Sequence, residues 1–152
     1  MIKLANYTVE IANNVLENLD LLKQNSSKSH EAGGVLLGYI IEETQYIRIT
    51  KISTPCEEDI SSPTSFQRDG KSTQKIIDRE FNESNGKIIY LGEWHTHYEK
   101  KPIPSGIDIS MIRKHHKASI LNQDLLLLLI KGTKDIFIST YDGKRFISDY
   151  YN

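Results

Sequence analysis

The apolar positions divide the chain into strand-like and helix-like stretches. Ile2 to Ile11 alternates with the two-residue period of a strand, and Ala12 to Gln24 carries Val15, Leu19 and Leu22 at helical spacing with Leu16 beside them. The polar run Asn25 to His30 reads as a loop. Val35 to Ile41 and Gln45 to Ser53 read as two strands, joined into a hairpin by Glu42-Glu43-Thr44. Thr54 to Asp69 holds Pro55, Pro63, several serines and an acidic cluster, and is expected to be one long loop. Lys71 to Ser84 places Ile76, Ile77 and Phe81 on a helical face and stops before Asn85-Gly86. Lys87 to His95 is apolar on both faces, which predicts a central strand with helices covering the sheet on both sides. Ser105 to about His116 reads as a helix whose last turn is rich in cations. Leu125 to Ile130 reads as a buried strand, and Asp135 to Thr140 with Arg145 to Tyr150 as a hairpin closed at Asp142-Gly143. The expected fold class is α/β: one domain over residues 1–152, with a mixed β-sheet flanked by helices on both sides.

Composition narrows the function classes. A chain of 152 residues with 38% apolar and 26% charged side chains can bury a core without staples. A net charge of −1 gives no basis for nucleic-acid binding. The longest apolar run, Leu125 to Ile130, is six residues, far below the ~20 that cross a bilayer. The N-terminus lacks the pattern of a signal peptide, so no membrane association and a cytoplasmic location are expected. Cys56 is the single cysteine. That excludes an internal disulfide and the Pro-Cys-x-x-Cys pair of the zinc nucleobase deaminases. Glu57, Glu58 and Asp59 follow it and disfavour a thiolate nucleophile.

The candidate chemistry lies at Gly92 to Asp108. In a strand continuing from Ile88-Ile89-Tyr90-Leu91, His95 and His97 share a face, with Cα atoms about 7 Å apart, close enough for both imidazoles to reach one zinc ion. Seven residues, Tyr98 to Pro104, lead to Ser105-Gly106-Ile107-Asp108 at the start of the helix. Ser105 and Asp108 fit a capping box, and the same Asp108 carboxylate, fixed in the first turn, supplies a third zinc ligand. Glu93 falls on the same face as the two histidines, where it reads either as an outer partner of the metal-binding histidines or as a rival catalytic base. His30, His115 and His116 read as surface residues, the last two about 10 Å or more beyond Asp108 along the helix.

His95-x-His97, seven residues, Ser105-x-x-Asp108 resembles the JAMM motif of the JAB/MPN metallopeptidases, and the prokaryotic branch in particular, whose lead-in commonly reads like Gly92-Glu93-Trp94-His95-Thr96-His97. Glu31-Ala32-Gly33-Gly34 followed by the apolar Val35 to Tyr39 resembles the family's upstream glutamate segment. Tyr98 stands where the family generally has proline, a departure that bears on loop rigidity and substrate fit rather than on the ligand spacing.

The resemblance implies the JAB/MPN fold, which is similar to that of the cytidine deaminases. It implies one Zn²⁺ per chain held by His95, His97 and Asp108, with Glu31 as general base and Ser105 as donor to the oxyanion. It also implies an isopeptidase or peptidase acting at the C-terminal tail of a ubiquitin-like protein or its conjugates, as standalone deconjugating enzymes of antiphage and conjugation operons do. Two other readings stay open: a hydrolase of the same family releasing cysteine or sulfide from a small carrier protein, and a non-catalytic MPN scaffold. In the isopeptidase reading Thr54 to Asp69 and Tyr98 to Pro104, with Lys100 and Lys101, border a cleft that takes the tail of the ubiquitin-like protein in extended form.

Overall fold

The computed structural model describes residues 1–118 and 124–152. Eight strands form one mixed sheet in the order β1-β2-β4-β3-β7-β8-β9-β10, and β5 and β6 form a separate hairpin. In chain order these are β1 (Ile2–Leu4), β2 (Tyr7–Ile11), β3 (Gly33–Ile41), β4 (Tyr46–Ile52), β5 (Ile60–Ser62), β6 (Ser65–Gln67), β7 (Ile89–Thr96), β8 (Leu126–Lys131), β9 (Ile136–Tyr141) and β10 (Phe146–Tyr151). The helices are α1 (Asn13–Leu22), α2 (Gly70–Glu83) and α3 (Gly106–Ala118). Two pairings are parallel, β2 with β4 and β7 with β8; the others are antiparallel. The sheet curls until its ends meet: the Tyr151 hydroxyl on β10 accepts the backbone N–H of Ile11 at 3.1 Å.

Two of the expected elements need correction. The stretch expected as one N-terminal strand is a hairpin, β1 with β2, turned at Ala5 with φ 54°. The loop expected over 54–69 contains β5 and β6, whose short, serine-rich strands carry too little alternation to show a period.

Helices cover both faces, as the apolar β7 requires. Val15 and Leu19 of α1 pack with Val9, Ile49, Trp94, Leu127 and Ile138 on one side. Ile112 of α3 packs with Leu126, Leu128, Ile130 and Phe137 on the other. α2 shares that second face through a buried polar cluster around Glu93. The Glu93 carboxylate accepts from Arg68 Nε at 2.6 Å and from the Tyr90 hydroxyl, and Arg68 donates on to Thr73 of α2 at 2.5 Å. His115 of α3, expected at the surface, is half-buried instead, with Nε2 3.7 Å from the same carboxylate. His116, also expected there, sits edge-on to Tyr141 and bonds the carbonyl of Asp124 at 2.7 Å.

The β3–β7 pairing positions the functional end of the sheet. Gly33 lies opposite His95 and Gly34 opposite Trp94, and the register then slips: Leu36 pairs with Gly92 but Leu37 with Tyr90. One extra residue on β7 reverses the alternation below Gly92, which puts Tyr90 and Glu93 on one face and Leu91 and Trp94 on the other. Glycine is required at 92, where φ is +154° and a Cβ would stand 2.0 Å from the carbonyl oxygen of Leu127. At Gly34 a Cβ would meet Ser53 Oγ at 2.3 Å and Ser53 O at 2.6 Å.

Gly34→Ala is therefore expected to destabilise the protein by about 1–3 kcal/mol through overpacking. Gly106→Ala, at an open position in the first turn of α3, should be neutral or stabilising by about 0.5–1 kcal/mol. Glu93→Gln, which leaves the Arg68 cation without its buried partner, should cost about 3–5 kcal/mol. Urea unfolding of the three variants checks the ranking.

Candidate metal centre

Three elements meet at the C-terminal end of β7. The strand supplies His95, and His97 follows just past its end; the segment entering β3 supplies Glu31; the N-terminus of α3 supplies Ser105 and Asp108. Glu31 is fixed from both sides along the backbone. Its N–H donates to Ser62 O at 2.9 Å, and the next residue, Ala32, exchanges bonds with Thr96, the residue between the two histidines: Thr96 N–H to Ala32 O at 2.9 Å and Ala32 N–H to Thr96 Oγ1 at 3.0 Å.

Ser105 and Asp108 form the expected capping box. Asp108 N–H donates to Ser105 Oγ at 3.1 Å, and Ser105 N–H donates to Asp108 Oδ2 at 2.8 Å. The same Oδ2 lies 3.2 Å from His95 Nε2 and 3.1 Å from His97 Nε2, and the two imidazole nitrogens are 3.2 Å apart. Three donor atoms thus converge on one point with nearly equal separations. A tetrahedral zinc shell with bonds of roughly 2.0–2.1 Å requires ligand atoms about 3.3–3.4 Å apart, so the set fits such an ion. As hydrogen-bonding groups alone the three are poorly matched, since neutral imidazoles have one donor nitrogen each and the carboxylate has none. Glu31 stands farther back. Its carboxylate lies within 4.8 Å of the histidine nitrogens without an ion pair to either, among the described residues.

The charge environment is uneven. Burial resists ionisation of Asp108, but the hydrogen bonds and charges of His95 and His97 and the Ser105 N–H outweigh it and hold the carboxyl well below its usual range. Burial likewise works against a cationic His97, and the Asp108 and Glu99 carboxylates overcome it, raising His97 above an ordinary imidazole. Glu31 is 6% exposed, and burial pushes its carboxyl up to about 7, opposed by His97 and assisted by Asp108. A dication beside it favours the carboxylate form.

Glu99, which sequence reasoning passed over, is the hydrogen-bond partner of His97 on the far side of its ring. Its Oε1 lies 2.9 Å from His97 Nδ1, fixing the tautomer that presents Nε2 to the other donors. The signal was the i, i+2 spacing from His97, hidden because the residue lies beyond the strand. Glu93 fills neither role expected of it, being tied to Arg68 and Tyr90.

The segment 98–104 is anchored by hydrogen bonds to distant residues, without a proline at Tyr98. Glu99 O accepts from Thr133 N–H at 2.8 Å, Lys100 O from Asp135 N–H at 2.9 Å, and Pro102 O from the Tyr150 hydroxyl at 2.7 Å. Lys101, expected at the cleft, instead lies over the Tyr150 ring, 4.7 Å from its centre. Tyr98 itself is half exposed and lines a cleft of about 340 Å³ together with Glu31, Pro63, Thr64, His97 and Ser105. A narrower recess of about 50 Å³ continues past His95 and Asp108 to Phe66 and Met111.

Residues 20–137 match the family described as prokaryotic homologs of the JAB domain. A CD-NTase/cGAS isopeptidase of Escherichia coli (strain TW11681) is 38% identical over 141 residues, covering 93% of this chain and 84% of the relative. One of Vibrio cholerae serotype O1 is 34% identical over 130 residues, covering 86% and 80%. A probable metalloprotease of Sinorhizobium fredii, y4qB, is 32% identical over 81 residues, covering 52% and 49%. The solution structure of protein DSY2949 from Desulfitobacterium hafniense shares the fold, with a TM-score of 0.58 at 18% identity over 95% of this chain and 90% of that one. With the family matched over most of its length and relatives above 30% identity along nearly all of it, this chain belongs to the prokaryotic JAB-domain family.

Proposed function

We propose that this protein is a zinc-dependent isopeptidase that releases a conjugated protein by cutting the amide at that protein's C-terminal tail. The observation that carries this reading is the convergence of His95 Nε2, His97 Nε2 and Asp108 Oδ2 within 3.1–3.2 Å of one another, beside a buried carboxylate at the wall of an open cleft. Three protein ligands are the donor count of catalytic zinc sites. The relatives' name as CD-NTase/cGAS isopeptidases supports a CD-NTase as the conjugated protein. A ubiquitin-like protein is the second reading, supported by the resemblance of the motif to the JAB/MPN metallopeptidases.

Bound by those three residues, zinc supplies Lewis acidity that makes water more acidic and polarises a carbonyl. Glu31 accepts the proton of the attacking water and passes it to the leaving amine, roles open to a buried carboxylate within 4.8 Å of the histidine nitrogens. Ser105 Oγ is occupied as an acceptor by the Asp108 N–H, which leaves its own O–H to donate to the carbonyl oxygen as negative charge develops there. The extended tail has a strand to pair with: β6 pairs with β5 alone among the described residues, and Thr64, Ser65 and Phe66 line the recess beside His95 and Ser105.

The decisive experiment offers the zinc-loaded protein two isopeptide-linked conjugates, one of a CD-NTase and one of a ubiquitin-like protein, with amine release measured. Cleavage of the first alone assigns the substrate as proposed; cleavage of neither overturns the function. His95→Ala should lose stoichiometric zinc, read by metal analysis. Glu31→Gln should keep the metal and lose turnover by a factor on the order of 10² or more. Glu99→Gln should weaken zinc affinity about 10–100-fold, measured by competition with a chelator. Tyr98→Ala should raise KM for a conjugate about three- to tenfold with kcat and zinc content unchanged, because that contact is made equally in ground and transition states.

A further inference from the structure

Gln24 lies just beyond α1 and is 2% exposed, an unusual place for a carboxamide. Both its N–H donors and its oxygen are engaged. Nε2 donates to Ser29 O at 2.8 Å and to Pro63 O at 3.1 Å, and Oε1 accepts from the Thr96 hydroxyl at 2.9 Å. Thr96 Oγ1 in turn accepts from Ala32 N–H. One side chain therefore joins three segments distant in sequence: the turn of the β5–β6 hairpin at Pro63, the strand end between His95 and His97, and the backbone next to Glu31. Two N–H donors and an acceptor on one terminal group are what the three partners require, and only an amide side chain provides them. The core of α1 packing does not need this chemistry, since Val15 and Leu19 already bury the helix.

We propose that Gln24 is a positioning residue, which holds the β5–β6 hairpin at a fixed distance from the zinc ligands and Glu31 so that a substrate tail paired to β6 presents its scissile bond to the site. The role rests on the proposed isopeptidase function. The hairpin has other attachments: the Glu31 N–H bond to Ser62 O, on the β5 side of the turn, the His30 Nδ1–Ser61 Oγ contact at 3.0 Å, and the Arg68–Glu93 pair just past β6. The first two hold β5, and the third fixes the root of β6. Gln24 alone among the described residues reaches its turn, through Pro63 O, with Thr64 of the same turn lining the cleft. Phe66 seats the middle of β6 against Gly33, where a Cβ would come within 2.5 Å of the ring. Removing the bond at the turn should therefore loosen the tip while leaving the hairpin attached.

Two variants separate the links. Gln24→Glu keeps an acceptor towards Thr96 and withdraws both N–H donors; Gln24→Met withdraws everything at similar volume. Hydrogen exchange of the zinc-loaded full chain should show residues 60–67 protected in the wild type and exchanging on the order of tenfold faster in both variants, with β7, β8 and β9 unchanged. Zinc content should be unaffected, and KM for a conjugate should rise about five- to tenfold with kcat within twofold. The proposal fails if wild-type residues 60–67 exchange as an unheld loop, which decides the matter even if neither variant folds. It also fails if Gln24→Glu leaves exchange at wild-type rates, if exchange accelerates across the central strands, or if kcat falls instead of KM rising. If the wild type cleaves no conjugate, the proposed function falls, and the exchange experiment still decides whether Gln24 holds the hairpin.

Discussion

The antiparallel pairing of β3 with β7 is the constraint on which the site depends. It sets Gly33 opposite His95, and so brings the entry of β3, where Glu31 lies, beside the strand end that carries both histidines. A slip of one residue would turn His95 and His97 to the opposite face of the sheet. The register is held against such a slip by shape. Gly34 admits no Cβ against Ser53, Gly92 admits none against Leu127, and the fully buried Trp94 donates its indole N–H to Ser53 O at 2.9 Å. The glycines that resemble a family signature are here the residues that let three backbones approach one another.

Asp108 ties the start of α3 to both histidines. Its carboxylate caps α3 through the Ser105 N–H and faces both imidazoles, so the orientation needed for a ligand is supplied by an interaction the helix needs anyway. The convergence has a cost. Holding three donor atoms at 3.1–3.2 Å without an ion crowds lone pairs and protons together, and a metal that satisfies all three stabilises the folded chain as well as equipping it. The cluster around Glu93, two residues before His95, is tied instead to the scaffold that joins α2 and α3 to the sheet.

The cleft is framed by two segments of different construction. The stretch 98–104 is anchored to the turn after β8, whose Gly132 has no room for a Cβ, which would stand 2.5 Å from Glu99 O and from Pro102 Cδ. Backbone bonds from Thr133 and Asp135 do the work that a proline at Tyr98 would do locally. The opposite wall is a two-stranded hairpin, too small to be stable alone, and it depends on buried polar contacts at its roots and turn.

What the sequence determined by itself was local in origin. The period of two along β7 put His95 and His97 on one face, and Ser105 to Asp108 is one helical turn, so the candidate donor set was legible from spacing alone. The helices and the long strands were legible for the same reason, because periodicity records which face is buried. What only the tertiary structure decided depends on partners far away in the chain. The extra residue on β7 turns Tyr90 to the side of Glu93, and no local pattern announces it because every residue around it is apolar. Arg68, twenty-five residues before Glu93 in sequence, converts that glutamate from a candidate for catalysis into half of an ion pair. β5 and β6 are strands by virtue of pairing with each other, with little apolar content to mark them. Gln24 is an ordinary polar residue after a helix until Pro63 and Thr96, 39 and 72 positions away, are brought to its amide. Spacing along a strand or helix is written into the backbone geometry, whereas the partner of a polar group is chosen only when the chain closes around it.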